Sequence, residues 1–95
     1  MTTPPNLSWS ADNVTLGQAI RTRRRELGLT QETVADLAGV GLRLVHEVEH
    51  EKGTVQLVNL ARLLRVLGLH LELAPGASDR VQVQPRVAAA AQPET

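Results

Sequence analysis

The sequence predicts an all-α protein: a bundle of four to five helices followed by one short β-strand near the C-terminus. Two observations support this fold class. Apolar residues recur at helical spacing in four successive segments between residues 15 and 68, and most of these segments are bounded by a capping residue or a glycine. Trp9 is the only aromatic residue, so any core must be built from Leu, Val, Ile and Ala, which favours packed helices.

The first two helices have the clearest boundaries. Thr15 can N-cap the segment LGQAIRTRRREL, and Gly28 can adopt the positive φ that ends it. Thr30 can cap QETVADLA in the same way, with Gly39 as its stop. The apolar residues that we expect to face the interior are Leu16, Ile20 and Leu27 in the first helix and Val34, Leu37 and Ala38 in the second.

The third and fourth helices follow after short connections. Gly39-Val40-Gly41 leads into LRLVHEVEH. Val45 and Val48 are the residues of this helix that we expect to face the interior, and whether Leu44 joins them is left undecided. The polar corner EKGT precedes VQLVNLARLLRVL, which Gly68 ends. The apolar stripe expected on this last helix consists of Leu57, Leu60, Ala61, Leu64 and Leu67.

The segment LHLEL at residues 69–73 changes to a period of two, which is typical of a strand. A single strand is unstable alone, so it predicts a partner. That partner is either Arg80–Gln84 in a hairpin or the same strand of a second chain, and we favour the second chain. Residues 1–14 are interpreted as a flexible arm and residues 74–95 as a flexible tail, which leaves 15–73 as the domain.

Composition limits the classes of function. Ten Lys and Arg balance ten Asp and Glu, so attraction to nucleic acid must come from local clusters such as RTRRR. The chain has no cysteine, which excludes disulfides and thiolate metal ligands. It has no apolar run of the roughly 20 residues that a membrane helix needs and no signal-peptide pattern. We therefore expect a cytoplasmic protein without membrane contact, and a domain this small often dimerises.

The second and third helices are short and are joined by a tight turn that contains glycine. This arrangement is typical of a helix-turn-helix, in which the second helix of the pair lies in the major groove of DNA. Ala35 is small where the two helices must approach each other, and Val40 fills the turn. Val45 and Val48 then dock the second helix of the pair on the domain.

The run LGQAIRTRRRELGLTQETVADLAGVG resembles the lambda-repressor-like (Xre-type) helix-turn-helix family, and the resemblance covers residues 16 to about 68. Within that family, the strand after the last helix makes the chain most similar to HipB-type antitoxins, which are repressors encoded beside a HipA-like serine/threonine kinase toxin. The resemblance implies a homodimer on a palindromic operator in double-stranded DNA, repression of its own operon and neutralisation of the kinase. The alternatives are a stand-alone Xre-type regulator and an interaction module that has lost DNA binding.

The resemblance also implies which residues touch DNA. Arg43 is the foremost candidate, because its guanidinium can bond guanine O6 and N7 together. Arg24 matches a family arginine that pairs with a glutamate, here Glu49, and braces the fold. Contacts between the two chains are expected at Leu69, Leu71 and Leu73. The expected DNA-contacting set is Thr30, Gln31, Gly41, Leu42, Arg43, His46, Glu47, Lys52, Thr54 and Arg23.

Two acidic residues depart from this picture. Glu47 places a carboxylate on the side expected to face the groove, where phosphates repel it unless it accepts from cytosine N4. Glu51 stands where the family usually has a glycine after the third helix. We therefore expect a reshaped corner that carries a further negative charge.

The segment HEVEH at residues 46–50 matches H-E-x-x-H, by which a helix presents two zinc-binding histidines and a general-base glutamate. A catalytic zinc needs a third protein ligand, which His70 or Glu72 would have to supply by swinging back from the predicted strand. It also needs an open cleft, and a chain of 95 residues offers no wall for one. His46 and His50 are therefore interpreted as partly exposed helix residues, with DNA contact kept for His46. We expect no enzyme activity, metal, cofactor or small-molecule ligand.

Overall fold

The computed structural model describes residues 14–77 and 81–91, and these form five α-helices and no strand. No helix within those ranges is long and apolar enough to cross a membrane. The predicted N-terminal arm, apart from Val14, lies outside the described residues. The helices are α1 (Leu16–Glu26), α2 (Gln31–Ala38), α3 (Leu42–Glu49), α4 (Leu57–Val66) and α5 (Pro85–Ala90).

The predicted boundaries of α1 and α2 are confirmed. The Thr15 side chain accepts from the Gln18 backbone N–H, and the Gln18 side chain accepts from the Thr15 N–H, which is a complete capping box. The Thr30 side chain accepts from the Thr33 N–H at the start of α2. Gly39 ends α2 with φ 71°, a left-handed conformation that costs glycine little. The turn into α3 therefore has the geometry that the sequence predicts.

The main core lies among α1, α2, α3 and α4. Its fully buried side chains are Ile20, Val34, Val45, Leu63 and Leu67. Ala35 is 3% exposed at the contact between α2 and α3, where the sequence requires a small residue. Val40 and Leu44 are partly buried against the same core, as is Leu69.

Several leucines expected in the interior are exposed instead. Leu37 is 65% exposed and Leu57 is 71% exposed, and Leu27 and Ala61 also face solvent. In the stripe predicted for α4 and its C-cap, Leu60, Leu64 and Leu67 are buried as expected. Leu57 and Ala61 are not, and Leu63, which was not predicted, is fully buried. Apolar residues occupy both sides of α4, and spacing alone cannot choose which side packs.

The predicted C-terminal strand is not formed. Residues 69–73 have no regular structure, and neither do the described residues 81–84, so the hairpin alternative is absent from this part of the chain. Leu69 turns into the core, whereas Leu71 is 40% exposed and Leu73 fully exposed. The physical reason is that a strand needs the backbone of a second strand, and the single chain does not supply one here.

The helix α5 lies within the segment that composition had marked as a flexible tail. Pro85 occupies the first turn, where its missing N–H costs nothing. Val83 and Ala88 pack against Val14 and Ala19, and these four residues form a second, smaller core on the outer side of α1. The alanine-rich sequence shows no apolar period, so only the contact with α1 reveals this helix.

Gly17 sets how closely α1 approaches α3, and this leads to a prediction. A Cβ added at Gly17 would lie 2.6 Å from the Glu49 carbonyl oxygen and 2.8 Å from that of Val48. Backbone atoms cannot rotate away, so Gly17→Ala must separate the two helices. We expect the free energy of unfolding to fall by about 1–3 kcal/mol, as for other overpacked sites. Urea denaturation followed by circular dichroism measures this change.

Gly41 provides the matched control for that experiment. A Cβ at Gly41 would meet nothing within 4 Å, and its φ of −74° suits any residue. Gly41→Ala should therefore change the free energy of unfolding by less than about 1 kcal/mol, the usual cost of a weaker N-cap. Equal losses for the two variants would show that the close approach at Gly17 does not limit the packing.

Candidate nucleic-acid interface

The helix α3 has one buried face and one open face. Val45, Val48 and Glu49 are buried against the rest of the domain. Arg43, His46 and His50 are exposed and Glu47 is partly exposed. Arg43 is three and four residues before His46 and Glu47, and His50 is four and three residues after them, so the four share one face. The scaffold therefore leaves open the face of α3 that a helix-turn-helix would present to a DNA groove.

Arg43 and Glu47 form an ion pair on this open face. The Arg43 Nε donates to Glu47 Oε2 over 3.2 Å, and the side chains are 90% and 35% exposed. Pairs of this kind one turn apart contribute only about 0.3–0.5 kcal/mol in water. The guanidinium is therefore available to exchange Glu47 for another acceptor, such as the O6 and N7 atoms of guanine.

Gly41 and Leu42 begin α3 beside that pair. Gly41 is the N-cap, and as it has no side chain it makes no capping hydrogen bond. Leu42 is 47% exposed, so its side chain lies at the surface and not in the core. Amide groups at the open start of a helix can donate to phosphate oxygens.

The two expected DNA contacts at the start of α2 already have partners within the protein. The Thr30 hydroxyl caps the helix and also lies 2.9 Å from the Thr33 hydroxyl. Gln31 is half-buried, and its Nε2 donates to Glu49 Oε1 over 3.1 Å. In this structure Gln31 therefore supports a buried carboxylate, a role that the sequence did not indicate.

The buried carboxylate of Glu49 is the centre of a polar network. Its side chain is 1% exposed, and Arg24 donates to both of its oxygens, over 2.6 Å from Nε and 3.1 Å from Nη2. Arg24 also donates from Nη1 to the Leu29 carbonyl over 2.9 Å. The network links α1 to α3, and through Gln31 it includes α2.

The ionised form of Glu49 is favoured in this setting. Burial by itself raises the pKa of Glu49, but the hydrogen bonds from Arg24 and Gln31 and the charges of Arg24 and Arg21 together lower it. The net effect is a pKa below the ordinary glutamate value. Glu49 is therefore negatively charged at neutral pH, where its bonds hold the helices together.

Arg23, which the sequence predicts along the DNA backbone, has partners within the protein. Its Nε donates to the Leu67 carbonyl over 2.9 Å, and its Nη1 lies 3.6 Å from Glu26. Leu67 is the C-cap of α4, so Arg23 bonds a carbonyl that the helix itself leaves unpaired. No local sequence signal links two residues 44 positions apart.

The corner after α3 carries Glu51, Lys52 and Thr54, all of them exposed. Glu51 has φ 56°, so it adopts the left-handed conformation that a glycine would take at this point. Its Oε2 accepts from the Gly17 N–H over 3.0 Å, near the positive end of the α1 dipole. The extra carboxylate is thus directed to α1, and Lys52 and Thr54 are the surface groups of this corner.

The histidines of the HEVEH segment stand side by side on the open face. The ring centroids of His46 and His50 are 4.2 Å apart. The third histidine, His70, bonds Glu72 over 2.7 Å instead of approaching them. Within the described residues, no group of three His, Cys, Asp or Glu side chains is arranged to hold a metal ion. The third ligand that a catalytic zinc requires is therefore missing from this part of the chain.

Comparison with known proteins identifies the same helix-turn-helix class in a family model, in a related sequence and in a solved structure. The helix-turn-helix family HTH_3 matches residues 20–73. An uncharacterized HTH-type transcriptional regulator of Sinorhizobium fredii is 39% identical over 62 residues, which are 64% of this chain and 82% of that protein. The restriction-modification controller protein C.AhdI from Aeromonas hydrophila has a similar crystal structure, with a TM-score of 0.56 and 33% identity. The match covers 82% of this chain and 97% of C.AhdI.

Removing Arg24 should destabilise the domain strongly. Arg24→Ala leaves the Glu49 charge buried with only Gln31 as a partner, and breaking a buried pair in this way costs about 3–5 kcal/mol. We expect the free energy of unfolding in urea to fall by this amount. Arg25→Ala is the control, because Arg25 is exposed in the same turn of α1 and its loss should change stability by less than about 0.5 kcal/mol.

The same pair sets the response to acid. Because folding lowers the pKa of Glu49, its contribution is fully present above the unfolded-state pKa and is lost as the pH falls through the folded-state value. Glu49→Gln should therefore be less stable at pH 7 but should lose less further stability on acidification than the wild type. Parallel pH profiles for the two proteins would rule out Glu49 as the titrating group.

Proposed function

This chain belongs to the HTH_3 helix-turn-helix family of DNA-binding transcriptional regulators, which are not enzymes, and we propose that it is a homodimeric repressor that reads operator DNA with α3. The observation that carries this proposal is the open face of α3. Glu49 holds the inner face of α3 to Arg24, whereas Arg43 on the outer face is 90% exposed and pairs with Glu47, a neighbour on that same face. The helix α3 is therefore held by the scaffold and presents a guanidinium whose weak bond to Glu47 can be exchanged for a bond to DNA.

Recognition of the DNA sequence depends on Arg43 and Glu47. In the groove, Arg43 exchanges its bond to Glu47 for the two acceptors of a guanine, a contact worth about 1–3 kcal/mol of discrimination. The freed Glu47 carboxylate accepts from cytosine N4, which turns an otherwise unfavourable charge into a second reader. His46 lies next to them on the same face, and Leu42 supplies an apolar contact for a thymine methyl group.

Phosphate contacts come from the edges of this surface. Lys52 and Thr54 lie on the exposed corner after α3, and the open start of α3 offers backbone amides. The chain has no net charge, so a single domain gains little from the general field of DNA. Two domains on half-sites about 34 Å apart double the local contacts, which is why we propose a dimer on a palindromic operator.

The dimer contact is proposed along α4 and residues 69–73. Leu57 is 71% exposed and Val58 is 54% exposed at the start of α4, and Leu71 and Leu73 are exposed after it. A small domain with so much open apolar surface gains stability by covering it. A strand at residues 69–73, which the single chain does not form, would then be created by backbone pairing with the partner.

The genetic role has two versions. Autorepression of a small operon is supported by the family and by the likeness to C.AhdI, which is itself a controller protein. Neutralisation of a HipA-like kinase is the narrower proposal, and it rests on the sequence resemblance, part of which was the strand absent from the single chain. Purification distinguishes the two roles. An antitoxin co-purifies with the kinase encoded by the adjacent reading frame, and a stand-alone regulator purifies without it.

Arg43→Ala tests the reading mechanism. We expect the affinity for the natural upstream duplex to fall by about 5–150-fold, which corresponds to 1–3 kcal/mol, while binding to a scrambled duplex changes much less. Fluorescence anisotropy at two salt concentrations measures both affinities. The scaffold is unaffected, because Arg43 contacts only Glu47, so circular dichroism should be unchanged.

Lys52→Ala is the matched control for that variant. Loss of a phosphate contact should weaken both duplexes equally and reduce the salt slope by about 0.9. If Arg43→Ala behaves like Lys52→Ala, Arg43 is a phosphate contact and not a reader. If the wild type itself binds neither duplex, the chain is an interaction module that has lost DNA binding.

Leu71→Asp tests the dimer. A charge at this exposed position would be buried in the proposed interface, so we expect a monomer by size-exclusion chromatography with light scattering. Leu37→Asp is the control, since Leu37 is 65% exposed on α2 and lies outside the proposed contact. A dimer that survives Leu71→Asp would exclude residues 69–73 from the interface.

A further inference from the structure

The imidazoles of His46 and His50 have an arrangement that DNA reading by itself does not explain. Both residues are exposed on the outer face of α3, one helical turn apart. Their ring centroids are 4.2 Å apart and the ring planes are inclined by 33°. The two rings are close enough that one nitrogen of each can reach a common ion, at about 2 Å from each nitrogen, after rotation about their side-chain bonds.

The tautomer of His50 is set by the backbone. Its Nδ1 lies 2.8 Å from the carbonyl oxygen of His46, and a carbonyl can only accept. Nδ1 therefore carries the hydrogen, and in the neutral ring Nε2 keeps its lone pair. Metal-binding histidines are oriented in this way, with the second ring nitrogen donating to a carbonyl or carboxylate.

We propose that His46 and His50 together bind a divalent transition-metal ion of the zinc, nickel or copper class through one nitrogen each. Imidazole is the side chain that these ions favour, whereas Mg²⁺ and Ca²⁺ favour oxygen ligands. The spacing of four residues on one helix face matches the two-histidine part of many zinc sites. The bound ion keeps water at its remaining positions, because the protein provides two ligands.

The neighbouring carboxylates explain why this site differs from the H-E-x-x-H site of a protease. Glu47 is bonded to Arg43, Glu49 to Arg24 and Glu51 to the Gly17 amide. Within residues 14–77 and 81–91, none of the three joins the two histidines in a group of three metal-binding side chains. The site is therefore a surface chelate on a domain that folds without it.

The position of the chelate gives it a consequence for DNA binding, which rests on the proposed function. His46 and His50 share the open face of α3 with Arg43, so an ion held there adds positive charge to the surface that meets DNA. Linkage then requires that DNA changes the metal affinity by the same factor by which the metal changes the DNA affinity.

Isothermal titration of the untagged full-length chain with zinc, nickel or copper chloride, without DNA, tests the site. We expect one ion per chain, with copper bound more tightly than nickel or zinc and no saturable heat with magnesium chloride. His46→Ala and His50→Ala should each lower the affinity at least tenfold, since even supporting residues of metal sites contribute about 10–100-fold. Circular dichroism confirms that each variant is folded.

His70→Ala is the matched control, because His70 is the third histidine of the chain and pairs with Glu72. It should bind metal as the wild type does. The proposal is overturned if the wild type shows no saturable binding, if the two α3 variants bind as tightly as the wild type, or if His70→Ala loses as much affinity as they do. None of these results affects the DNA-binding proposal, because DNA is absent.

Discussion

The buried ion pair between Arg24 and Glu49 is the constraint on which the rest of the domain depends. A charge in the interior is tolerated only when it is paired and fully hydrogen-bonded, and Glu49 has Arg24 on one side and Gln31 on the other. Glu49 lies on the inner face of α3, so the pair fixes the rotation of this helix about its axis. Once that rotation is set, Arg43 and Glu47 must face outward. The surface offered to DNA is thus determined by a contact within the protein.

A second constraint is the distribution of negative charge around α3. Three glutamates lie within five residues, two on α3 and one on the corner after it, although α3 is proposed to approach a polyanion. Each of the three has a different partner. Glu49 is buried against Arg24, Glu51 accepts from the Gly17 N–H at the start of α1, and Glu47 remains at the surface beside Arg43. Only Glu47 lies on the face of α3 that is proposed to meet DNA. A chain without net charge can therefore present a surface that favours DNA binding, because each of these glutamates has a partner within the protein.

The helix-turn-helix family model matches the part of the chain that positions α3. The matched residues 20–73 contain the ion pair, the turn and the core of α2, α3 and α4. The helix α5 lies outside that match and packs on the far side of α1, away from the core that supports α3. It adds a small second core without touching the reading surface. The exposed leucines on α4 and after it are the surface that a second chain would cover.

The sequence by itself determined the helices α1 to α4 and the helix-turn-helix, because caps and stops are local. Thr15, Thr30 and Gly39 act on backbone groups within a few residues, so their effect can be predicted without knowledge of the fold. The tertiary structure alone decided the partners of Gln31, Arg23 and Glu51, the side of α4 that is buried, the docking of α5 and the absence of a strand at residues 69–73. Each of these depends on groups brought together from distant parts of the chain, or on a second backbone that a single chain does not supply. The pattern of residue types in the sequence indicates which side chains can pair or pack. Which of these contacts form is decided only when the chain folds.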